Sequence, residues 1–370
     1  MRILLTVTND LTYDQRMQRI ATTLARAGYC VTLVGREWPH SAPLEDRIFG
    51  QHRLRCRFNT GFAFYAEYNF RLFLHLMRAP FDAVGVVDLD TLPAGTLAAL
   101  LRRKVRVFDA HEYFTEVPEV VDRPFVKSFW QLVAKVFLPF YQHAYTVGPA
   151  LADLFARQYG IPFEVVRNVP EAKPLPEKPA KSERLMMLYQ GALNQGRGIE
   201  VLLQAMVRLD GLELWLAGEG DLSDNLRRMA VQLGVGDRVH FLGWVKPTEL
   251  SALTEKAWLG LNLLENRGLS YYYSLANKYF DCVQACVPVL TMDFPEYRAL
   301  QQQHPVAVLL PDLHADAVVQ AVLHLKENPE AYSALVAAAQ KARVEWIWEK
   351  EEAVLLAVWA NVFKQDQAIG

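Results

Sequence analysis

Short blocks of consecutive apolar residues alternate along this chain with longer stretches in which apolar positions recur at helical spacing. In the N-terminal half, RILLTVT (2–8) is a β-branched block that predicts a strand. YDQRMQRIATTLARAGY then carries helical period, with Gly28 at its stop. CVTLVGR predicts the next strand, and AVGVVD (83–88) and VRVFDAHE (105–112) two more, with a helix from about Pro93 to Arg102 between them. Strands that are apolar nearly throughout, separated by helices, imply a parallel sheet covered on both faces.

The pattern stops at VPEAKPLPEKPAKSE (169–183), which is rich in Pro and charge and has no apolar period, so it reads as a linker. Beyond it the alternation restarts. LMMLYQG, LELWLAGEG, VHFLGWV, WLGLNLL and PVLTM (288–292) predict the strands of a second sheet. Helices are expected over about Gly198–Arg208 and Leu222–Leu233, after VHFLGWV, and through SLANKYFDCVQ. A long Trp-containing helical segment runs from about Pro329 to Phe363. The expected division is an N-terminal α/β domain over 1–168, a linker over 169–183 and a C-terminal α/β domain over 184–348. Ligands bind at the carboxyl edges of such sheets, so a cleft between the two edges is the default site.

Composition adds bounds. The chain has 370 residues, comfortable for two domains, and is 52% hydrophobic and 22% charged, which is globular. A formal net charge of −2 gives no sign of a nucleic-acid partner. No apolar run has the length of a membrane span, and the N-terminus enters a strand directly, so a cytoplasmic protein is expected. Cys30, Cys56, Cys282 and Cys286 lie in or beside apolar stretches without a zinc-ligand set, and read as reduced core residues.

The candidate chemistry is densest in the second half. YQGALNQGRGIEVLLQAM (189–206) is a strand, a glycine-rich turn and a helix, with Arg197 at the helix mouth offering a planar fork suited to phosphate. A turn carrying a solvated Arg is the alternative. In LAGEGDL (216–222) a strand ends in Gly-Glu-Gly at the same edge, and Asp221 or Ser223 could cap the next helix. YYYSLANKYFDCVQACVPVL (271–290) places Ser274 as an N-cap, leaving the amides of Leu275, Ala276 and Asn277 free. Such amides favour an anion by about 0.3–1 kcal/mol each, and Lys278 adds a full charge. Asp281, one turn on, leans back toward that anion and could accept from sugar hydroxyls beside it. Phosphates on cations and ribose on an acid describe a nucleoside diphosphate; an internal Lys278–Asp281 pair is the alternative.

Arg197 in its turn, LAGEGDL, HFLGWV and SLANKYFDCVQACVPVL resemble, in this order, the C-terminal domain of GT-B glycosyltransferases of the retaining family 4 type. NDLTYDQRMQRIATTLARAGYCVTLVGR, VVDLDTLPAG and FDAHEYFTEVPEV are similar to the N-terminal half of bacterial members, so the resemblance covers nearly the whole chain. It implies two Rossmann-like domains facing a central cleft, with the C-terminal helix, from about residue 349, returning to the first. It also implies transfer of a sugar from a nucleoside-diphosphate sugar to a glycan or lipid-linked acceptor, with retention.

Within the family's pair of acids the second matches Asp281, which holds the ribose, while the first falls on Tyr273. Arg197 matches the diphosphate-binding base; its companion is Ala192 here, and Lys278 would supply that charge. Gly191, Gly218 and Glu219 join the donor set, and the loop Gly243–Val245, with Trp244, lies beside the nucleobase.

In DAHE (109–112), His111 matches a family histidine that approaches the donor sugar, with Asp109 and Glu112 able to orient it or exchange protons. A structural histidine at the strand end is the alternative. Tyr13, Asp14 and Arg16 open the first helix and could meet acceptor or phosphate, although Arg16 reads equally as a surface residue. Asp88-Leu89-Asp90 has the form of a metal-binding pair, but it lies apart from the phosphate-binding features, so no catalytic metal or other cofactor is expected. FAFYAEYNFRLFLHLMRAPF (62–81) and PFVKSFWQLVAKVFLPFYQHAYTV (124–147) could lie in a membrane interface, or be ordinary helices packed on a sheet. An epimerase of the same fold and a non-catalytic nucleotide-sugar-binding module remain as rival readings.

Overall fold

The computed structural model describes residues 1–176 and 185–369. The chain divides into two compact units, Met1–Arg167 with Glu351–Gly370, and Asn168–Lys350. The first carries strands β1 (Arg2–Thr6), β2 (Cys30–Glu37), β3 (Gly50–Arg55), β4 (Ala83–Val87), β5 (Val105–Ala110), β6 (Ala144–Thr146) and β7 (Phe163–Val165). The second carries β8 (Leu185–Gln190), β9 (Leu212–Ala217), β10 (Val239–Gly243), β11 (Leu259–Asn262), β12 (Val289–Met292) and β13 (Ala307–Leu310). Of the expected linker, 169–176 has no regular structure and 177–183 lies outside the described residues.

Both sheets are parallel, in the orders β3-β2-β1-β4-β5-β6-β7 and β10-β9-β8-β11-β12-β13. Each therefore reverses direction of growth beside its first strand, β1 against β4 and β8 against β11. At such a switch point the loops leave to opposite faces and open a crevice at the carboxyl ends of the strands. The β-branched blocks form the buried strands: Ile3, Leu5, Leu33, Val84, Val86 and Val107 are each about 1% exposed or less.

Three expectations change in the fold. First, the helix drawn from Pro93 begins at Asp88, with Pro93 inside Asp88–Leu101. Proline lacks the amide and crowds the preceding turn. Asn69 bridges the gap: its Nδ2 donates to the Asp90 carbonyl (2.7 Å), and its Oδ1 accepts from the Ala94 amide (3.1 Å).

Second, the long C-terminal segment is two helices, Pro329–Ala342 and Trp348–Ile369. Trp346, between them, packs in the second unit's core, whereas Trp359 packs in the first. A Cβ at Gly85 of β4 would stand 3.2 Å from the Trp359 ring, so the missing side chain makes room for the helix on the sheet. Arg167 and Glu351 pair beside it (Nε–Oε1 2.7 Å).

Third, of the four free cysteines only Cys282 is buried; Cys30 opens β2 at its exposed end, and Cys56 and Cys286 are half-buried. β3, β6, β7 and β13 extend the sheets beyond the strands read from the pattern.

Candidate functional site

In the second unit, Gly191, Gly218 and Gly243 follow or close β8, β9 and β10 at the carboxyl edge, and the turns lace together. The Gly191 amide donates to the Ala217 carbonyl (2.9 Å), and Gly218 bridges Gly243. A Cβ on Gly218, at φ +155°, would fall 1.9 Å from the Gly191 carbonyl oxygen. Gly218 is thus required by turn-on-turn packing, and Gly191 by its own φ of +131°. Gly198, at φ +69°, forms the left-handed N-cap of the helix Ile199–Met206 and aims Arg197 at that edge.

Arg197 lies over Tyr271, its guanidinium carbon 4.9 Å from the ring centroid. Its Nε is buried and finds no hydrogen-bond partner. Lys278 Nζ sits 3.9 Å from the Tyr189 ring centroid and 3.3 Å from where a Cβ on Gly191 would be. Burial, with Arg197 beside it, lowers the Lys278 pKa to about 7. The contacts that hold both cations are aromatic faces rather than carboxylates. Neither cation has a carboxylate partner among the described residues, an arrangement with room for an anion.

Asp281 is on the same helix, Asn277–Gln284, with its Oδ2 accepting from Gln190 Nε2 (2.9 Å). Gln190 Oε1 in turn accepts from Thr254 Oγ1 (3.0 Å), and both residues are buried. Tyr189, Gln190, Thr254 and Tyr271 were not picked out from sequence. A glutamine closing the apolar block LMMLYQ was the one visible signal.

The expected N-cap moves. The helix starts at Asn277 with Ala276, in extended backbone, as its cap, so Ser274 lies before the helix and does not cap it. The Ala276 amide is already taken by the Tyr297 hydroxyl (3.0 Å), and the Leu275 side chain is buried in the core. Asn277 is exposed. Ser223 does not cap its helix either; its Oγ accepts from the Gly220 amide (2.9 Å). Tyr273 closes a short helix edge-on to Tyr272, with centroids 5.1 Å apart. Glu219 pairs with Arg227 (2.9 Å). Trp244 is 53% exposed beyond β10, while Val245 packs on the core.

In the first unit, Asp109 is the penultimate residue of β5 and is 1% exposed. It accepts from Arg16 Nη2 (3.0 Å) and contacts His111 Nε2 (3.0 Å). Burial would raise its pKa, but Arg16 and His111 more than offset this and hold it below the usual carboxylate value. Burial pulls the His111 imidazole down, and Asp109 with Asp88 more than reverses that, to about 9. With the pKa raised to about 9, His111 is an imidazolium at neutral pH and a hydrogen-bond donor, oriented by Asp109 as the sequence reading allowed.

Arg16 is buried, its Nη1 donating to the Val166 carbonyl (2.8 Å), and so is neither a surface residue nor free for a ligand. Asp14 caps the first helix by accepting from the Met17 amide (3.0 Å). Tyr13 and Glu112 are exposed. Asp88, at φ +52°, accepts from the His111 amide (2.9 Å), and Asp90 accepts from the Thr8 hydroxyl. Burial lifts Asp90 to about 6 and Asp88 well above the ordinary value. Among the described residues no group of three His, Cys, Asp or Glu side chains is arranged to hold a metal ion.

The aromatic segments form helices Gly61–Arg78 and Pro124–Phe137. The latter buries Trp130, Val133 and Ala134, and exposes Phe125, Phe129, Leu132 and Val136 along its opposite face. Phe62 stands edge-on to Phe129 at 5.7 Å. No acid lies between Arg123 and His143, a stretch that holds Lys127 and Lys135. Among the described residues no helix is long and apolar enough to cross a membrane.

Comparison with known families places the chain. Residues 15–171 match the model described as Glycosyltransferase Family 4, and residues 172–342 the model described as Glycosyl transferases group 1. The chain belongs to the group 1 glycosyltransferases, with the GT-B fold of two Rossmann-like parallel-sheet domains. Among curated relatives, it is 40% identical to the lipopolysaccharide core biosynthesis glycosyltransferase LpsE of Rhizobium meliloti over 63 residues, 17% of this chain and 18% of LpsE. The curated matches span between 18% and 25% of the relatives' lengths. Among solved structures, sucrose-phosphate synthase of Thermosynechococcus elongatus superimposes with a TM-score of 0.81 at 16% identity, covering 99% of this chain and all of that one. Anabaena HepE, solved with UDP-glucose, gives 0.76 at 13% identity over 98% of this chain and all of that one.

Proposed function

We propose that this protein transfers a sugar, hexosyl or related, from a nucleoside-diphosphate sugar to an acceptor hydroxyl with retention at the anomeric carbon and without a catalytic metal. The observation that carries the reading is the pair Arg197 and Lys278, set side by side on aromatic rings at the carboxyl edge of β8, with Asp281 held one helical turn away. A diphosphate supplies the missing negative charge, and Asp281 accepts from the ribose hydroxyls. Charge grows on the diphosphate as the glycosidic bond breaks, so these cations stabilise the transition state more than the ground state. A preorganised donor of this kind is worth about 3–4 kcal/mol in comparable sites. Two cations also do the neutralising that a divalent ion does elsewhere. His111, as an imidazolium, is the group assigned to the sugar hydroxyls.

A relative named for lipopolysaccharide core biosynthesis supports a glycan or lipid-linked acceptor in bacterial cell-surface synthesis, and the proposed place of work is the inner face of the cytoplasmic membrane. The exposed apolar face of Pro124–Phe137, flanked by Lys127, Lys135 and Arg123, suits contact with an anionic bilayer.

A panel of nucleoside diphosphates and nucleotide sugars, read by calorimetry and by NMR of the product anomer in EDTA, tests this reading. Tight binding of one nucleotide, weakened at least tenfold in Arg197→Ala, is expected. Inversion of configuration, or activity that returns only with Mn²⁺, refutes the corresponding part. Tyr273, standing where the family places an acid, favours a second reading as a nucleotide-sugar-binding module. Nucleotide binding with no turnover across acceptors would select it, and a new sugar isomer formed from donor alone would mark an epimerase.

A further inference from the structure

β3 is the outer strand of the first sheet, hydrogen-bonded only to β2, and so presents one backbone edge outward. Against it lies the C-terminal half of the helix Gly61–Arg78, and between the two is an open cavity of about 550 Å³. Among the described residues, six basic ones line this cavity, His52, Arg53, Arg55, Arg71, His75 and Arg78, and no acidic one does.

Two of the arginines are already engaged. Arg53 donates to the carbonyls of Asp10 and Ala42 (2.6 Å each) and to Thr12 Oγ1 (2.7 Å). Arg71 Nε pairs with Glu67, which sits one helical turn back (2.8 Å). Arg55 and Arg78 are exposed and make no hydrogen bond or ion pair with a described residue. Between these arms His52 and His75 stack face to face, with centroids 4.4 Å apart and planes at 11°. Burial, and then His52 beside it, keep the His75 pKa below the ordinary value. Like charges gathered in one concavity repel one another and focus a positive potential on it.

We propose that this cavity binds a phosphate-bearing anion, clasped by the free guanidinium forks of Arg55 and Arg78 with the His52–His75 stack as its floor. Phosphate fits better than carboxylate, because its oxygens can meet two forks and an imidazole at once. The volume admits a sugar phosphate or a phospholipid headgroup, and both carry the same recognised group. The site shares no residue with the Arg197–Lys278 pair and does not rest on the glycosyltransferase reading.

The test is NMR titration of the His52 and His75 ring protons in the full chain without added nucleotide, so that no other phosphate competes for the cavity. The probes are inorganic phosphate, glucose 1-phosphate, and vesicles of phosphatidylglycerol or of phosphatidylcholine. The expected result is a rise in the His75 titration midpoint with a phosphate probe, and at least tenfold weaker binding in Arg55→Ser/Arg78→Ser with the UDP affinity unchanged. Response to glucose 1-phosphate identifies a phosphorylated saccharide as the source. Response to phosphatidylglycerol but not phosphatidylcholine vesicles identifies a headgroup. Histidine signals that ignore every probe, or that respond equally in the double variant, overturn the proposal. Arg78→Gln alone carries the same test should the double variant fail to fold, and a parent protein that binds no UDP leaves the histidine readout standing.

Discussion

Lys278→Met is the sharpest probe of the donor site, because it separates the cost of an unpaired cation from its use. The lysine is depressed to about 7 from an ordinary 10.5, chiefly by burial and then by Arg197. Between those values the unfolded chain binds more protons than the folded one, so stability rises with pH across that window. Holding the group at a pKa near 7 costs about 4 kcal/mol at pH 7 and about 2 kcal/mol at pH 9. Methionine keeps the stem over Tyr189 and removes the charge. The variant should therefore be more stable than the parent by up to about 4 kcal/mol at pH 7, with the gap narrowing to about 2 at pH 9. Urea unfolding of both proteins at the two pH values reads this directly.

The same charge should be indispensable to the ligand. A diphosphate restores the ordinary lysine pKa, so UDP binding at pH 8 should take up about 0.9 proton, measured by calorimetry in buffers of different ionisation enthalpy. The variant should take up none and bind UDP at least tenfold more weakly. A variant no more stable than the parent, or a gap that does not change with pH, would refute the reasoning.

Other consequences are independent of that one. Gln190→Leu should weaken UDP about tenfold, or ~1.4 kcal/mol, and leave free pyrophosphate unchanged, since only Asp281, the acid proposed to hold the ribose, loses its contact with Gln190. Equal losses on calorimetry would remove Gln190 from that role. Asp109→Asn should drop the His111 titration midpoint well below 9 by NMR. Because the folded pKa is the raised one, the stability this pair contributes is complete below about pH 6.5 and fades as pH climbs through 9. Asn69→Leu leaves the Asp90 carbonyl and the Ala94 amide without their bridge, for a loss of about 2–4 kcal/mol in denaturant unfolding.

Much of this was legible in the linear pattern. The apolar blocks became buried parallel strands because a strand covered on both faces has no polar side to advertise. Asp281 and Arg197 stood out because a lone acid in an apolar helix, and an arginine among glycines, break their local pattern. Gln190 did not, since one polar residue closing a strand is ordinary until Asp281 is seen to depend on it. Arg16 misled because an arginine early in an amphipathic helix looks solvated, and its burial comes from Asp109 and Val166, far along the chain. Pro93 read as a helix start for the usual reason, and only Asn69, brought from another helix, lets the turns continue through it.

By itself the sequence determined two doubly wound α/β halves, and it pointed to the edge and the kind of chemistry proposed for the second. Local apolar period, turn glycines and charge are properties of neighbouring residues, and they survive in one dimension. Tertiary structure alone decided which charges have partners. Asp109 is neutralised by Arg16 and His111, while Lys278 and Arg197 are set on tyrosine faces with no carboxylate among the described residues to hold them. That distinction depends on distances between residues remote in sequence, because a charge's free energy is governed by the dielectric and the counterions that the fold brings to it.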